Sequence, residues 1–454
     1  MNRFSGTLTL RGDEGFEEAC LGRVFNARRP TGRLPAAVLE ARTEDDVVEG
    51  VRLALERGWQ VAVRSGGHSW AAWSVRRDAL LIDLGNFREM AYDARTQLVT
   101  ATPSVKGGDE LNPYLGEFGR FFNGGHCPSV GIGGFLLQGG QGWNARGWGW
   151  AAENIVAIDV VTAEGELVRA DEERHSDLFW AARGAGPGFF GVVTRFHLRT
   201  RPLPRHLGHT VHAYPLELFD EVMTWLHGMH HTVSDRVEIV ALTQTPPGLD
   251  GPVLLVTGVS MTDTAEEAAE ALAPLHANPY ADRALFRVEA EHTTLAAQLD
   301  NQRAANPEGH RYLVDNAWLT GPAEEVVPAI RKAFTEHPTR QTFTIWFSMA
   351  PLRELPDMAF SLQSEIYSAT YVVHDEPGRD AEYRAWLDEA MAAMRPVTAG
   401  QYLGDSDFTV RQLRFMGDGQ WRRLQEIRAA RDPKGVFAGY LSADTVTNTN
   451  HWEQ

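Results

Sequence analysis

The chain has 454 residues, too many for one ordinary core, so two domains are expected. Its composition, 43 % hydrophobic and 23 % charged, is that of a globular protein and excludes a disordered or fibrous one. A net charge of −17 argues against nucleic acid or an anionic membrane as partner, and no run of about 18 apolar residues offers a membrane span.

Residues 1–8 lack the apolar stretch of a secretion signal, so a cytoplasmic location is expected. The two cysteines, Cys20 and Cys127, cannot build a disulfide scaffold. Thr43 precedes Glu44, Asp45 and Asp46, and Val47, Val51, Ala54 and Leu55 follow at helical spacing. Thr43 with Asp46 reads as a capping box, and Gly58 ends this helix. Val61 and Val63 then alternate into a short strand that delivers the chain to Ser65-Gly66-Gly67-His68. Further strands are expected at 80–84 and 97–102. Residues 123–149 are rich in glycine and poor in charge, which weakens regular structure and suits packing against a flat ligand. A hairpin is expected from 155–162 and 167–170, then a helix capped by Ser176 and running to Arg183, then a strand at 192–198.

Pro202 and Pro204 mark a boundary. Beyond it, strand-like runs (237–242, 253–259, 311–319, 342–349, 367–373) are separated by helical ones (216–229, 263–275, 323–336, 379–394). That pattern predicts a sheet covered by helices on one face, an α+β arrangement. The tail carries a helix at 420–431, ended by Asp432-Pro433.

Two side chains carry most of the chemistry. His68 and Cys127 each sit in a glycine-rich turn after an apolar stretch, and imidazole and thiolate are both nucleophiles once unprotonated. Turns of this kind let backbone approach a large ligand closely, so a tethered cofactor is expected. Gly184-x-Gly186-x-Gly188 is not a Rossmann fingerprint, because a helix precedes it and a strand follows. These glycines still permit approach to a phosphate or an adenine. The histidine clusters at 206, 209 and 212 and at 227, 230 and 231 have no accompanying cysteine or HExxH pattern, so no metal is expected.

Arg64-Ser65-Gly66-Gly67-His68-Ser69 and Gly125-His126-Cys127-Pro128-Ser129-Val130-Gly131-Ile132-Gly133-Gly134 resemble the two flavin-attachment loops of berberine-bridge-enzyme-like oxidases. These belong to the vanillyl-alcohol-oxidase/p-cresol-methylhydroxylase (PCMH) superfamily. The likeness extends through residues 144–149, 157–161, 177–181 and 191–194 to Asp432-Pro433-Lys434-Gly435-Val436-Phe437. It covers 25–202 and 395–440 well and the middle only in general pattern. The resemblance implies a two-domain α+β flavoprotein. A PCMH-type FAD-binding domain would span 1–204, and an antiparallel-sheet substrate domain covered by helices 205–400. A segment at 401–454 would return to the first domain. It implies FAD bonded twice, through His68 and Cys127. Arg64, Ser65, Gly66 and Gly67 would surround the pyrophosphate as an anion nest. Gly131, Gly133 and Gly134 would line the flavin, and Val192 would meet the adenine through its backbone. Ser69, Val130, Gly140 and Tyr440 complete the implied cofactor contacts.

Two departures stand out. Where the family often carries Tyr-x-Asn near the flavin, this chain has Tyr402-Leu403-Gly404-Asp405, and Phe189-Phe190 replaces the frequent Asn-Phe. The implied activity is oxidation of a small organic molecule, a secondary metabolite or a sugar-like alcohol. Hydride would pass to the flavin, and dioxygen would be reduced to hydrogen peroxide. Candidates for the base are Tyr402, Asp405, Glu365, Tyr367 and Tyr371. A tyrosine would serve only with its pKa lowered. A dehydrogenase using another acceptor, a small-molecule sequestering or resistance protein, and a cyclase or isomerase remain as alternatives. A monomer or homodimer is expected.

Overall fold

The computed structural model describes residues 3–30, 32–246 and 248–441. Two sheets form the first half. Thr7–Leu10, Ala37–Glu40, Leu80–Asp83 and Val61–Arg64 lie side by side in that order, the last three parallel. Met90–Asp93, Leu98–Ala101, Val192–Arg199, Ile155–Val161 and Leu167–Ala170 form an antiparallel sheet in that order. The helix Glu44–Arg57 packs against strands of both sheets. It starts with the expected reciprocal capping of Thr43 and Asp46 and stops at Gly58, whose left-handed φ of 66° favours glycine. Val47, Val51 and Ala54 bury its apolar face among Leu39, Ile82 and Val160. A second helix, Ser176–Ala182, differs from expectation. His175 is its N-cap, in a left-handed conformation, with no side-chain cap, so Ser176 is already helical.

The second half is an eight-stranded antiparallel sheet. Its order is Phe286–Thr293, His206–Tyr214, Val253–Thr262, Val237–Gln244, Phe343–Ser348, Ile366–His374, Arg311–Leu319, Thr398–Gly400. The first, second and last of these were not expected. His206–Tyr214 is broken up by histidine and glycine, Phe286–Thr293 is a largely exposed edge strand, and Thr398–Gly400 is very short. Phe219–Met229, Ala265–His276, Ala323–Thr335 and Asp380–Met394 cover one face and bury Leu226, Leu272, Phe334 and Leu387 against it. The strand Val237–Gln244 shows how the two faces are divided. Val237, Ile239 and Ala241 enter the helix-side core, whereas Glu238, Val240, Leu242 and Gln244 face a cavity between the two halves.

Residues 123–149 hold only the short helices Ile132–Leu137 and Ala145–Trp148. The second docks the halves together. The buried Arg146 guanidinium donates to the carbonyls of Ala350, Ser234, Val237, His230 and Val233, all in the second half. Burial pushes its pKa down to about 10, so it stays charged. The C-terminal segment returns to the first half: Val61 N donates to Val436 O at 2.7 Å and Ala438 N to Val61 O at 2.9 Å. Asp432 accepts from Val436 N and Phe437 N, which shapes that return. Residues 442–454 of the expected C-terminal segment lie outside the described ones. Among the described residues, no helix is long and apolar enough to cross a membrane.

Arg146→Met would strand several buried carbonyls at the domain junction. It should destabilise the protein by about 2–4 kcal/mol, read as a drop of several degrees in the thermal transition. An unchanged transition would show that the junction does not depend on these bonds.

Candidate active site

A cavity of about 1230 Å³ lies between the glycine-rich loops and the open face of the eight-stranded sheet. It exceeds the roughly 300–1,000 Å³ of ordinary ligand pockets, so a large cofactor and a substrate fit together. Its first wall is two loops in backbone contact. A Cβ on Gly66 would stand 2.6 Å from Gly131 N, and one on Gly131 would stand 2.9 Å from Gly66 N. Only glycine at both positions allows the loops to meet. Ser65 Oγ accepts from Gly134 N, and a Cβ on Gly133 would press on Ser65. The backbone thus forms a smooth cradle, and two buried atoms on the lining, Gln138 Oε1 and Trp143 Nε1, have no hydrogen-bond partner. Cradle and unpaired polar atoms fit a large flat cofactor.

The loop contact brings His68 and Cys127 to one place. Ser129 Oγ lies 3.1 Å from His68 Nε2 and 3.7 Å from Cys127 Sγ. Phe25 stacks on the His68 ring at 4.3 Å. Burial, reinforced by Lys106, pushes the imidazole down to about 4, so it is neutral and nucleophilic at neutral pH. Burial pushes the Cys127 thiol up. The thiol is therefore held in its protonated form, with Ser129 as its hydrogen-bonding neighbour.

Around this centre, Ser65, Ser69, Val130, Gly131, Gly133 and Gly134 all line the cavity. Three expected contacts, those of Val192, Gly140 and Tyr440, are arranged differently, and Arg64 meets the cavity with the backbone that the expected nest would use. The Arg64 side chain turns away into the core, paired with Asp83 and donating to the carbonyls of Ala19 and Cys20, so only its backbone faces the cavity. Val192 is sealed in its strand beside Val161, and its neighbours Gly191 and Val193 reach the cavity instead. Gly140 lies behind the lining, where a Cβ would meet Ala151. Tyr440 donates to Ala185 O and packs on Gly188. Gly184 likewise packs on Phe360, so these two glycines accommodate side chain and backbone of the protein itself.

The opposite wall holds the base candidates. Asp405 Oδ1 accepts from Trp70 Nε1 at 2.9 Å and Oδ2 from the Tyr367 hydroxyl at 2.5 Å. Tyr371 lines the cavity near this carboxylate. Burial, and then the Asp405 charge, push both phenols well up, so both keep their protons. Burial also raises Tyr402, whose hydroxyl accepts from Gln141 N. None of the tyrosines has the lowered pKa a base would need. Glu365 is exposed at the start of its strand and outside the lining. Asn316 holds the turn by accepting from Tyr402 N and donating to the carbonyls of Tyr402 and Asp405. The departure at Gly404 has a steric reason: a Cβ there would lie 2.4 Å from Tyr402 Cε1.

Three lining side chains escaped the sequence reading. Trp70 follows the first loop, and His126 was visible beside Cys127. Glu238 was an isolated acid in an apolar strand, and that was its signal. Among the described residues, no group of three or more His, Cys, Asp or Glu side chains is arranged to hold a metal.

The FAD binding domain family matches residues 35–171. The FAD-linked oxidoreductase janO of Penicillium janthinellum is 36 % identical over 433 residues, 94 % of this chain and 96 % of its own. A xylooligosaccharide oxidase of Thermothelomyces thermophilus is 36 % identical over 182 residues, 40 % of this chain and 36 % of its own. The solved structure of BBE-like 1 from Physcomitrella patens superposes with a TM-score of 0.83 at 19 % identity, covering 98 % of both chains. An α+β fold shared with the BBE-like structure, a glycine cradle beneath a large cavity and end-to-end similarity to the Penicillium protein lead to one assignment: the chain belongs to the FAD-linked oxidoreductases.

Proposed function

We propose that this oxidoreductase is an oxidase whose FAD is bonded to His68 and Cys127 and whose substrate proton is taken by Asp405. The observation that carries this reading is the convergence of His68, Ser129 and Cys127 on one point of a cavity whose far wall holds Asp405. Bound FAD would accept a hydride from a substrate C–H and hand two electrons to dioxygen, giving hydrogen peroxide.

The chain's own residues do the rest. Two bonds from two loops would fix the ring's orientation and prevent its loss. Because Tyr367 and Tyr402 retain their protons, Asp405 is the remaining acceptor among the cavity-lining candidates. Trp70 and Tyr367 aim their donors at its carboxylate and hold it still. A substrate hydroxyl seated there would pass its proton to Asp405 as the C–H bond breaks. On the sheet face, Val240, Leu242, Ile345 and Phe347 offer apolar contact and few hydrogen bonds. That favours a substrate with one oxidisable polar end and a flat or apolar body. The named xylooligosaccharide oxidase supports oxygen as acceptor.

After acid precipitation, the yellow colour should remain with the wild-type polypeptide and leave it when His68→Ala and Cys127→Ala are combined. Colour in the wild-type supernatant would refute the linkage. Asp405→Asn should slow anaerobic flavin reduction by substrate about 100-fold or more while leaving reoxidation by oxygen near wild type. Equal reduction rates would remove Asp405 from the role of base.

A further inference from the structure

Glu238 is the one carboxylate on the cavity face of the strand Val237–Gln244, and it is 5 % exposed. A buried carboxylate is costly unless its oxygens are satisfied. Here they are satisfied by the other half of the molecule. Both oxygens lie 2.9 and 3.0 Å from His126 Nε2, and Oε2 also accepts from Asn144 N at 2.7 Å. His126 is the residue before Cys127. Its ring packs on Trp143 at 4.5 Å and on Phe347 at 5.3 Å. The sheet therefore grips the Cys127 loop through one side chain. The His68 side is held differently, by Phe25 and Ser129.

We propose that Glu238 is the positioning residue for the Cys127 linkage, acting through His126, so that the second flavin bond depends on docking of the eight-stranded sheet. This rests on the double linkage proposed above. In forming that bond, the Cys127 S–H and one ring C–H give way to a C–S bond. The two hydrogens leave as two protons and two electrons, which reduce dioxygen to hydrogen peroxide. Bond formation requires the sulfur at a reactive distance and angle, and a displacement of about 1 Å can cost on the order of 100-fold in rate. Releasing His126 provides such a displacement without touching the His68 side.

The test is peptide mapping by mass spectrometry of denatured wild type, Glu238→Leu, Glu238→Gln and His126→Phe, each expressed with ample riboflavin. The wild type should carry flavin on both residues. Glu238→Leu should carry it on His68 with Cys127 mostly free and open to iodoacetamide after unfolding, at least a tenfold loss of the double linkage. Glu238→Gln, which keeps an accepting oxygen, should restore it. His126→Phe keeps the ring against Trp143 and Phe347 and should reproduce the loss should Glu238→Leu prove insoluble. Wild-type levels of double linkage in Glu238→Leu or His126→Phe would overturn the proposal and leave the linkage intact. A wild type without flavin on Cys127 would overturn both.

Discussion

The structure turns on a backbone contact with no room for a side chain. Gly66 and Gly131 meet so closely that any Cβ at either would force the loops apart. That approach sets His68 and Cys127 on either side of Ser129 and leaves a smooth cradle beneath them. Helices and strands elsewhere serve to aim these loops. Val61–Arg64 ends at the first, and the buried Arg64–Asp83 pair fastens its last residue to the neighbouring strand. The helix Ile132–Leu137 begins directly after the second.

The second constraint is the seam between the halves. It is closed by polar groups that are expensive to bury and are therefore fully committed. Arg146 spends its donors on carbonyls of the sheet half, and Glu238 accepts from two loops of the flavin half. Asn26 accepts from Tyr312 N and donates to Tyr312 O, and Asn316 holds the turn that carries Asp405. The cavity lies inside this seam, so the orientation of the Asp405 turn towards the glycine cradle follows from the docking.

Much of this was legible in the sequence because it is local. The capping box at Thr43 and Asp46, the alternation at Val61 and Val63, and the glycine turns depend on neighbours along the chain. The strands His206–Tyr214 and Phe286–Thr293 escaped because their pairing, not their composition, makes them strands. The helix Leu295–Ala305 escaped because it lacks an apolar stripe. At the site, His68 and Cys127 were visible as residue types. The inward turn of Arg64 and the exposure of Glu365 were not, since each is set by a partner or an edge distant in sequence. The protonated state of the tyrosines was likewise hidden, because burial decides it.

The most direct test of the central claim is the intact mass of the fully denatured wild-type chain. A mass equal to the polypeptide plus one FAD, diminished only when both His68 and Cys127 are replaced, is the predicted result. The bare polypeptide mass, from cells amply supplied with riboflavin, would contradict it.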